Sequence, residues 1–300
     1  MKILAAIVTY NRIALLERCI DHVRAQTRPP ERLLVINNSS PDATVEMLER
    51  KGVEYVTQPN LGSAGGWRRS IAEALAGGWD AVWLMDDDGY PHPQALEKLE
   101  RALTPEVSCV SSVVLCEDDP NRFVFPFPVL DRCGLPVLAA PKRKIAHLDE
   151  LRKAAGGETY PFAHLFNGAL VRTAVARTIG NVDSDFFLMG DEVDFFMRMR
   201  REGPVLSHLD AHHLHPDVSG RPLDAVKVYY YVKNTIILNR RYFDKRMLRN
   251  AAAVAAALWR VARRNSLGES LSYVAGKRSP VLWKAVRRGL AGRIGKDFDA

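Results

Sequence analysis

An alternation of hydrophobic period over the first 115 residues constrains the fold most. Residues 2–9 (KILAAIVT) form a continuous apolar run, the pattern of a parallel strand buried on both faces. Residues 13–26 then place Leu15, Leu16, Cys19, Ile20 and Val23 along one helical stripe. The cycle repeats, with strands at 32–36, 53–56, 81–85 and 107–115. Helices are expected after Pro41, from Ser63 to Ala76 and from Pro93 to Leu103. This alternation predicts an α/β fold, an open parallel sheet with helices on both faces. Ligands of such sheets bind beyond the carboxyl ends of the strands. The polar residues expected there are Thr9-Tyr10-Asn11, Asn37-Asn38-Ser39 and Asp86-Asp87-Asp88.

The proline-rich stretch 117–160 reads as a long loop or small hairpin. A strand is expected near His164 to Val171, a helix from Val193 to Arg201, and short strands around Val205 and His213. From Asp224 onward the pattern is helical. The expected division is therefore a catalytic domain over 1–222 and a helical region over 223–300. With 47% hydrophobic and 26% charged residues, the chain is neither disordered, collagen-like nor a coiled-coil rod. No apolar run reaches the roughly 18 residues of a membrane span. The N-terminal run lacks a small-residue cleavage site and reads as a strand, not a signal peptide. Four cysteines without a CxxC pair or zinc spacing imply reduced thiols and a cytoplasmic setting.

Four segments carry chemistry. In WLMDDDG (Trp83 to Gly89) an apolar strand delivers three carboxylates to the sheet edge. Strand alternation predicts that Asp86 and Asp88 share a side, suited to a hard divalent cation that also binds phosphate. The bland alternative is an acidic turn capping the next helix. In NLGSAGGWRRSI (Asn60 to Ile71) glycines precede a helix whose N-terminus attracts phosphate; the alternative is a plain tight turn. GDEVDFFMRMRREG (Gly190 to Gly203) sets Asp191 and Glu192 in a first helical turn, where one carboxylate could serve as a general base. HLDAHHLHP (His208 to Pro216) places His213 and His215 on one side of an extended stretch, and either could join a metal.

In that order and approximate spacing, VTYNR, INNSSPDAT, NLGSAGGWRRSI, MDDDG, DEVDFFMR and the late histidine resemble the inverting nucleotide-sugar glycosyltransferases of family 2. The resemblance covers roughly residues 1–220, and is greatest to bacterial galactofuranosyltransferases and rhamnosyltransferases of cell-envelope glycans. It implies the GT-A fold, a Rossmann-like nucleotide-binding sheet with helices on both faces, plus a C-terminal helical region. It implies that Thr9 and Tyr10 cradle the nucleotide base. Asn37 stands where many members carry Asp near the base, which leaves uracil or thymine open. Asn60, Gly62 and Arg68 match the segment lining diphosphate and ribose, and Asn167 an element near the sugar. Asp86, Asp87 and Asp88 match the nucleotide-sugar and metal segment, with Asp86, Asp88 and His215 as ligands of Mn²⁺ or Mg²⁺ and His213 as the rival histidine. Glu192 is the favoured base and Asp191 its rival.

Residues 224–300 hold 17 of the 42 Lys+Arg and 5 of the 35 Asp+Glu, a net charge of +12, against −5 for the rest. Apolar, Trp-bearing helices with basic borders suit the interface of an anionic membrane, or a docking face for the chain's own core or a second copy in a homo-oligomer. No nucleic-acid motif accompanies the charge. The resulting expectation is a hexosyltransferase moving galactofuranose or rhamnose from a UDP- or dTDP-sugar. Its acceptor would be a glycan or polyprenyl-linked hydroxyl at the inner face of the plasma membrane. A nucleotidyltransferase and a catalytically silent nucleotide-sugar-binding scaffold are the alternatives.

Overall fold

Each apolar run of the first 115 residues forms a strand in the computed structural model, which describes residues 1–138 and 142–298. The strands are β1 (Ile3–Thr9), β2 (Arg32–Asn37), β3 (Glu54–Thr57), β4 (Ala81–Asp86), β5 (Tyr90–Pro91), β6 (Cys109–Cys116), β7 (Asp119–Pro128), β8 (Lys144–His147), β9 (Thr159–Tyr160), β10 (Asn167–Arg172) and β11 (Val205–His215). The helices are α1 (Ile13–Arg24), α2 (Thr44–Arg50), α3 (Gly62–Ala76), α4 (Ala95–Ala102), α5 (Leu148–Ala155), α6 (Thr173–Ile179), α7 (Asp191–Glu202), α8 (Ala225–Tyr242), α9 (Arg246–Arg264), α10 (Leu267–Ala275) and α11 (Ser279–Leu290). Two compact units result: residues 1–182 with 195–217, and residues 183–194 with 218–300.

In the first unit the main sheet runs β3-β2-β1-β4-β10-β6-β11-β5. Strand β1 is parallel to β2 and β4, and β6 to β11. The expected all-parallel sheet is corrected in its second half: β10 is antiparallel to both neighbours, β4 and β6, and the short β5 is antiparallel to β11. After β6 the chain makes its long excursion from the carboxyl edge, so β10 re-enters from that edge and runs the other way. An antiparallel return needs no helical crossover. This puts Asn167, opposite Met85, at the same edge as the end of β4.

Strict alternation sorts the core into two layers. Leu4, Ala6 and Val8 of β1 join Val82 and Leu84 of β4 under Trp67 and Ile71 of α3 and Phe195 and Met199 of α7. Ile3, Ala5 and Ile7 join Trp83 and Met85 under Leu16 and Ile20 of α1 and Leu96 and Leu99 of α4. Gly66 is where α3 touches the sheet, since a Cβ there would lie 2.4 Å from Val8 Cγ1. That glycine serves helix–strand packing, not a ligand.

The stretch read as a loop is more ordered than expected. Strand β7 pairs with β6 and β8, and α5 covers them through Leu148 and Leu151. The β7–β8 ladder is irregular between Arg122 and Phe127, where Pro126, which has no N–H to donate, falls. The two short strands expected near Val205 and His213 are one strand, irregular between His208 and His212.

In the second unit α8 is buried on several sides. Fully buried Lys233 sends Nζ to Asp297 Oδ2 and to the Gly295 carbonyl, both at 2.7 Å. Arg288 and the Tyr229 hydroxyl also reach Asp297, so the buried charge is paired on every side. Met247, Leu248, Trp259, Leu271 and Trp283 of α9–α11 remain exposed. Among the described residues no helix is long and apolar enough to cross a membrane.

Candidate functional site

The carboxyl edge of the first unit's sheet gathers most of the expected residues. Register sets Thr9 against Asn37, Val8 against Asp86, Asn167 against Met85, and His215 against Cys116. Strand β4 ends at Asp86, so strand alternation stops there. Asp87 and Asp88 lie in the following turn and both reach Arg12. This corrects the expectation that Asp87 would point away from Asp88.

Asp87 is fully buried. Its Oδ2 accepts from Thr9 Oγ1 at 2.6 Å and its Oδ1 meets Arg12 Nη2 at 2.9 Å. Burial pushes its carboxyl up to about 6, against the opposing pull of Arg12 and the Thr9 hydroxyl. Asp88 Oδ2 accepts from Arg12 Nη1 at 2.5 Å, and its Oδ1 lies 3.1 Å from His215 Nε2. His215 Nδ1 is 2.7 Å from the Pro216 carbonyl. A carbonyl only accepts, so Nδ1 donates there, the usual outer-shell arrangement of a metal-binding histidine, and the Nε2 of a neutral ring then offers its lone pair toward Asp88. A lone pair against a carboxylate oxygen is repulsive without a proton or cation between them.

Among the described residues no three His, Cys, Asp or Glu side chains gather into a metal cluster. Asp88 and His215 meet, whereas Asp86 is a half-buried strand end. Two protein ligands fit Mg²⁺ or Mn²⁺, which bind through one or two carboxylates and complete their shell with phosphates and water. His213 is buried, with neither ring nitrogen hydrogen-bonded among the described residues, and desolvation lowers it to about 3.

The remaining expected residues sit as follows. Asn37 accepts from Ser40 N at 2.9 Å and shapes the turn after β2. Exposed Asn60 accepts from the backbone N–H of Gly62, whose φ of +75° opens α3. Arg68 Nη1 donates to the Val182 carbonyl at 3.3 Å. Tyr10 is exposed at 44%, open to a flat ligand. Asn167 is buried and its Oδ1 has no hydrogen-bond partner among the described residues.

The acidic helix start belongs to the second unit. Asp191 is buried, and desolvation pushes its carboxyl up to about 7, helped by Asp194 and Asp183 and opposed by the N–H groups of Asp191 and Glu192. Glu192 beside it is half-buried. The segment before it is tightly wound, with Phe187 at φ 61°, Met189 at 60° and Gly190 at 104°. Asn234 of α8 holds that segment, its Nδ2 lying 3.1, 3.0 and 2.6 Å from the carbonyls of Phe186, Leu188 and Met189. Asp194 accepts from Tyr242 Oη at 2.6 Å and Arg241 Nη1 at 3.0 Å.

Sequence reasoning missed Arg12, Asn234, Arg241 and Tyr242. Arg12 carried a signal: adjacent buried carboxylates require a cation, and VTYNR offers one at the same edge. The α8 residues carried none, because only tertiary packing brings them to the helix start.

Residues 5–152 match the model of glycosyl transferase family 2. The chain is 37% identical over 223 residues to the galactofuranosyltransferase GlfT1 of Mycobacterium tuberculosis, covering 71% of this chain and 70% of that one. To the GlfT1 of Mycolicibacterium smegmatis it is 35% identical over 219 residues, with 71% and 70% covered. Among solved structures it resembles the mannosyltransferase PcManGT of Pyrobaculum calidifontis, in complex with GDP-Man and Mn²⁺ (TM-score 0.56, 16% identity, 97% of this chain and 80% of that one). It also resembles TarS residues 1–349 of S. aureus (TM-score 0.57, 12% identity, 97% and 81%). Motif order, sheet architecture and these similarities agree: the chain belongs to glycosyltransferase family 2 and is a glycosyltransferase.

Proposed function

We propose that the enzyme transfers galactofuranose from a UDP-sugar, with inversion, to a hydroxyl of a cell-envelope glycan or polyprenyl-linked acceptor. The observation that carries the donor side is the meeting of Asp88 and His215 beside Thr9, Asn37 and Asn167 at one sheet edge. The similarity to galactofuranosyltransferases favours that sugar over rhamnose from a dTDP-sugar. Asp88 and His215 would hold Mn²⁺ or Mg²⁺. When bound, the cation supplies positive charge to the departing diphosphate. Tyr10 and Asn37 face the base, and Asn60, Gly62 and Arg68 the diphosphate and ribose. The acceptor oxygen bonds to the anomeric carbon, and the sugar–phosphate bond breaks with its electron pair leaving on the nucleoside diphosphate. The acceptor proton passes to a carboxylate of the acidic pair. Burial tunes Asp191 to about 7, the range a base needs at neutral pH, which sets it beside Glu192 as the acceptor of that proton.

The exposed Trp259, Trp283, Leu267 and Leu271 lie in a region of net charge +12. We take this face to rest on the anionic inner leaflet, where a lipid-linked acceptor is found.

Calorimetry of UDP and dTDP with and without Mn²⁺, followed by transfer assays with UDP-galactofuranose and dTDP-rhamnose, tests the reading. Mn²⁺-dependent UDP binding and galactofuranose transfer are expected. Nucleotide binding with no transfer to any hydroxyl acceptor would favour the scaffold instead.

A further inference from the structure

Arg12 lies against both carboxylates of the turn that follows β4. It follows Asn11, whose φ of 54° turns the chain sharply after β1, and the Asn11 N–H donates to Ser40 Oγ at 2.9 Å. From this fixed backbone the guanidinium forks over two neighbouring carboxylates. Nη2 meets Asp87 Oδ1 at 2.9 Å and Nη1 meets Asp88 Oδ2 at 2.5 Å. Asp87 Oδ2 also accepts from Thr9 Oγ1 at 2.6 Å, and Asp88 Oδ1 lies 3.1 Å from His215 Nε2. The Asp88 arm is a hydrogen bond and the Asp87 arm an ion pair, and a planar guanidinium reaches both carboxylates at once, as a single ammonium cannot. The carboxylates are almost wholly buried, while the arginine side chain is 38% exposed and keeps a route to solvent. The acidic pair therefore carries its own cation.

We propose that Arg12 is the resident counter-ion of Asp87 and Asp88 in the metal-free enzyme and is released from Asp88 when a divalent cation binds there. This rests on Asp88 and His215 being the metal ligands. Without Arg12 the two adjacent buried carboxylates would lose the cation they share, a costly arrangement for buried charge. With both cations on Asp88, like charges would share one carboxylate. Exchange resolves both difficulties. The site stays neutralised while empty, and cation affinity is held down until loading occurs. The released guanidinium needs only side-chain rotation, because its backbone is fixed by the Asn11 turn.

Titration with Mn²⁺ alone, read by calorimetry or by the resonance of free Mn²⁺, tests this on wild type, Arg12→Gln and Arg12→Lys. Removing a competing charge a few ångströms from the ligand should tighten Mn²⁺ binding at least about tenfold in Arg12→Gln. Arg12→Lys keeps the charge without the fork and should fall between. Arg12→Gln should also melt at lower temperature than wild type without metal, and recover with Mn²⁺. In the wild-type protein, phenylglyoxal modification of Arg12, read by peptide mass mapping, should speed up severalfold on adding Mn²⁺. Exposed Arg32, paired with Glu54 on the sheet's far strands, should not respond. Equal or weaker Mn²⁺ binding by Arg12→Gln, or Arg12 modification unchanged by Mn²⁺, overturns the exchange and leaves the metal ligands standing. Mn²⁺ binding by none of the three proteins overturns the metal ligands and the exchange together. Should Arg12→Gln not fold, Arg12→Lys and the wild-type modification rates decide the matter.

Discussion

Replacing Asp191 by Asn keeps the shape of the side chain and removes its charge. Burial holds this carboxyl at about 7 instead of 3.8, with Asp194 and Asp183 contributing. The folded enzyme therefore keeps a proton that the unfolded chain releases between about pH 4 and 7. Stability falls as pH rises through that window, and the full cost is present above it. At about 1.4 kcal/mol per pH unit, a rise of about three units costs roughly 4 kcal/mol. Asparagine escapes that cost, and the pull of the N–H groups of Asp191 and Glu192 is already contained in the value of about 7. Asp191→Asn should thus be more stable than wild type by roughly 4 kcal/mol near pH 8, and equal to it near pH 4. Urea unfolding at several pH values measures this directly. A variant no more stable at high pH, or a gain that does not change with pH, would refute the desolvation argument. Transfer kinetics then assign the proton. If Asp191 accepts it, wild-type kcat loses activity on the acid side of about pH 7 and Glu192→Gln keeps that limb. If Glu192 is the base, Glu192→Gln stops transfer while donor binding survives.

Other outcomes follow from single contacts. His215→Ala should weaken Mn²⁺-dependent UDP binding by more than the roughly 10–100-fold that losing an outer-shell partner costs, measured by calorimetry. Gly66→Ala drives a methyl into Val8 and should destabilise by about 1–3 kcal/mol in denaturant titrations. Asn234→Leu removes the donor from the carbonyls of Phe186, Leu188 and Met189 and should cost about 1–3 kcal/mol, lowering kcat with little change in nucleotide affinity. Trp259→Ser with Trp283→Ser should abolish sedimentation with anionic vesicles and leave neutral-vesicle controls unchanged. Loss of a dimer in the same variant would instead assign that face to a second copy.

The chain's own pattern determined the α/β architecture, because hydrophobic period is local. A short apolar run such as KILAAIVT, followed by turn residues and a helical stripe, fits a strand buried on both faces, and its alternation divides between both core layers. It also determined which residues reach the carboxyl edge, since strand ends are local too, and the family followed from motif order. Other features depended on which elements meet. Antiparallel β10 could not be read, because strand direction depends on where the chain re-enters the sheet. The ladder over 119–147 hid behind its prolines, which a slipped register tolerates. Asp87 and Asp88 converge because alternation ends with the strand at Asp86. The partnership of Arg12 with both carboxylates joins residues 75 or more positions apart, and that of Asn234 with the turn before Asp191 joins residues 45 or more apart. Charge and hydrogen-bond partners at such separations are fixed by packing, so the sequence supplied the reactive groups and the tertiary structure decided their electrostatics.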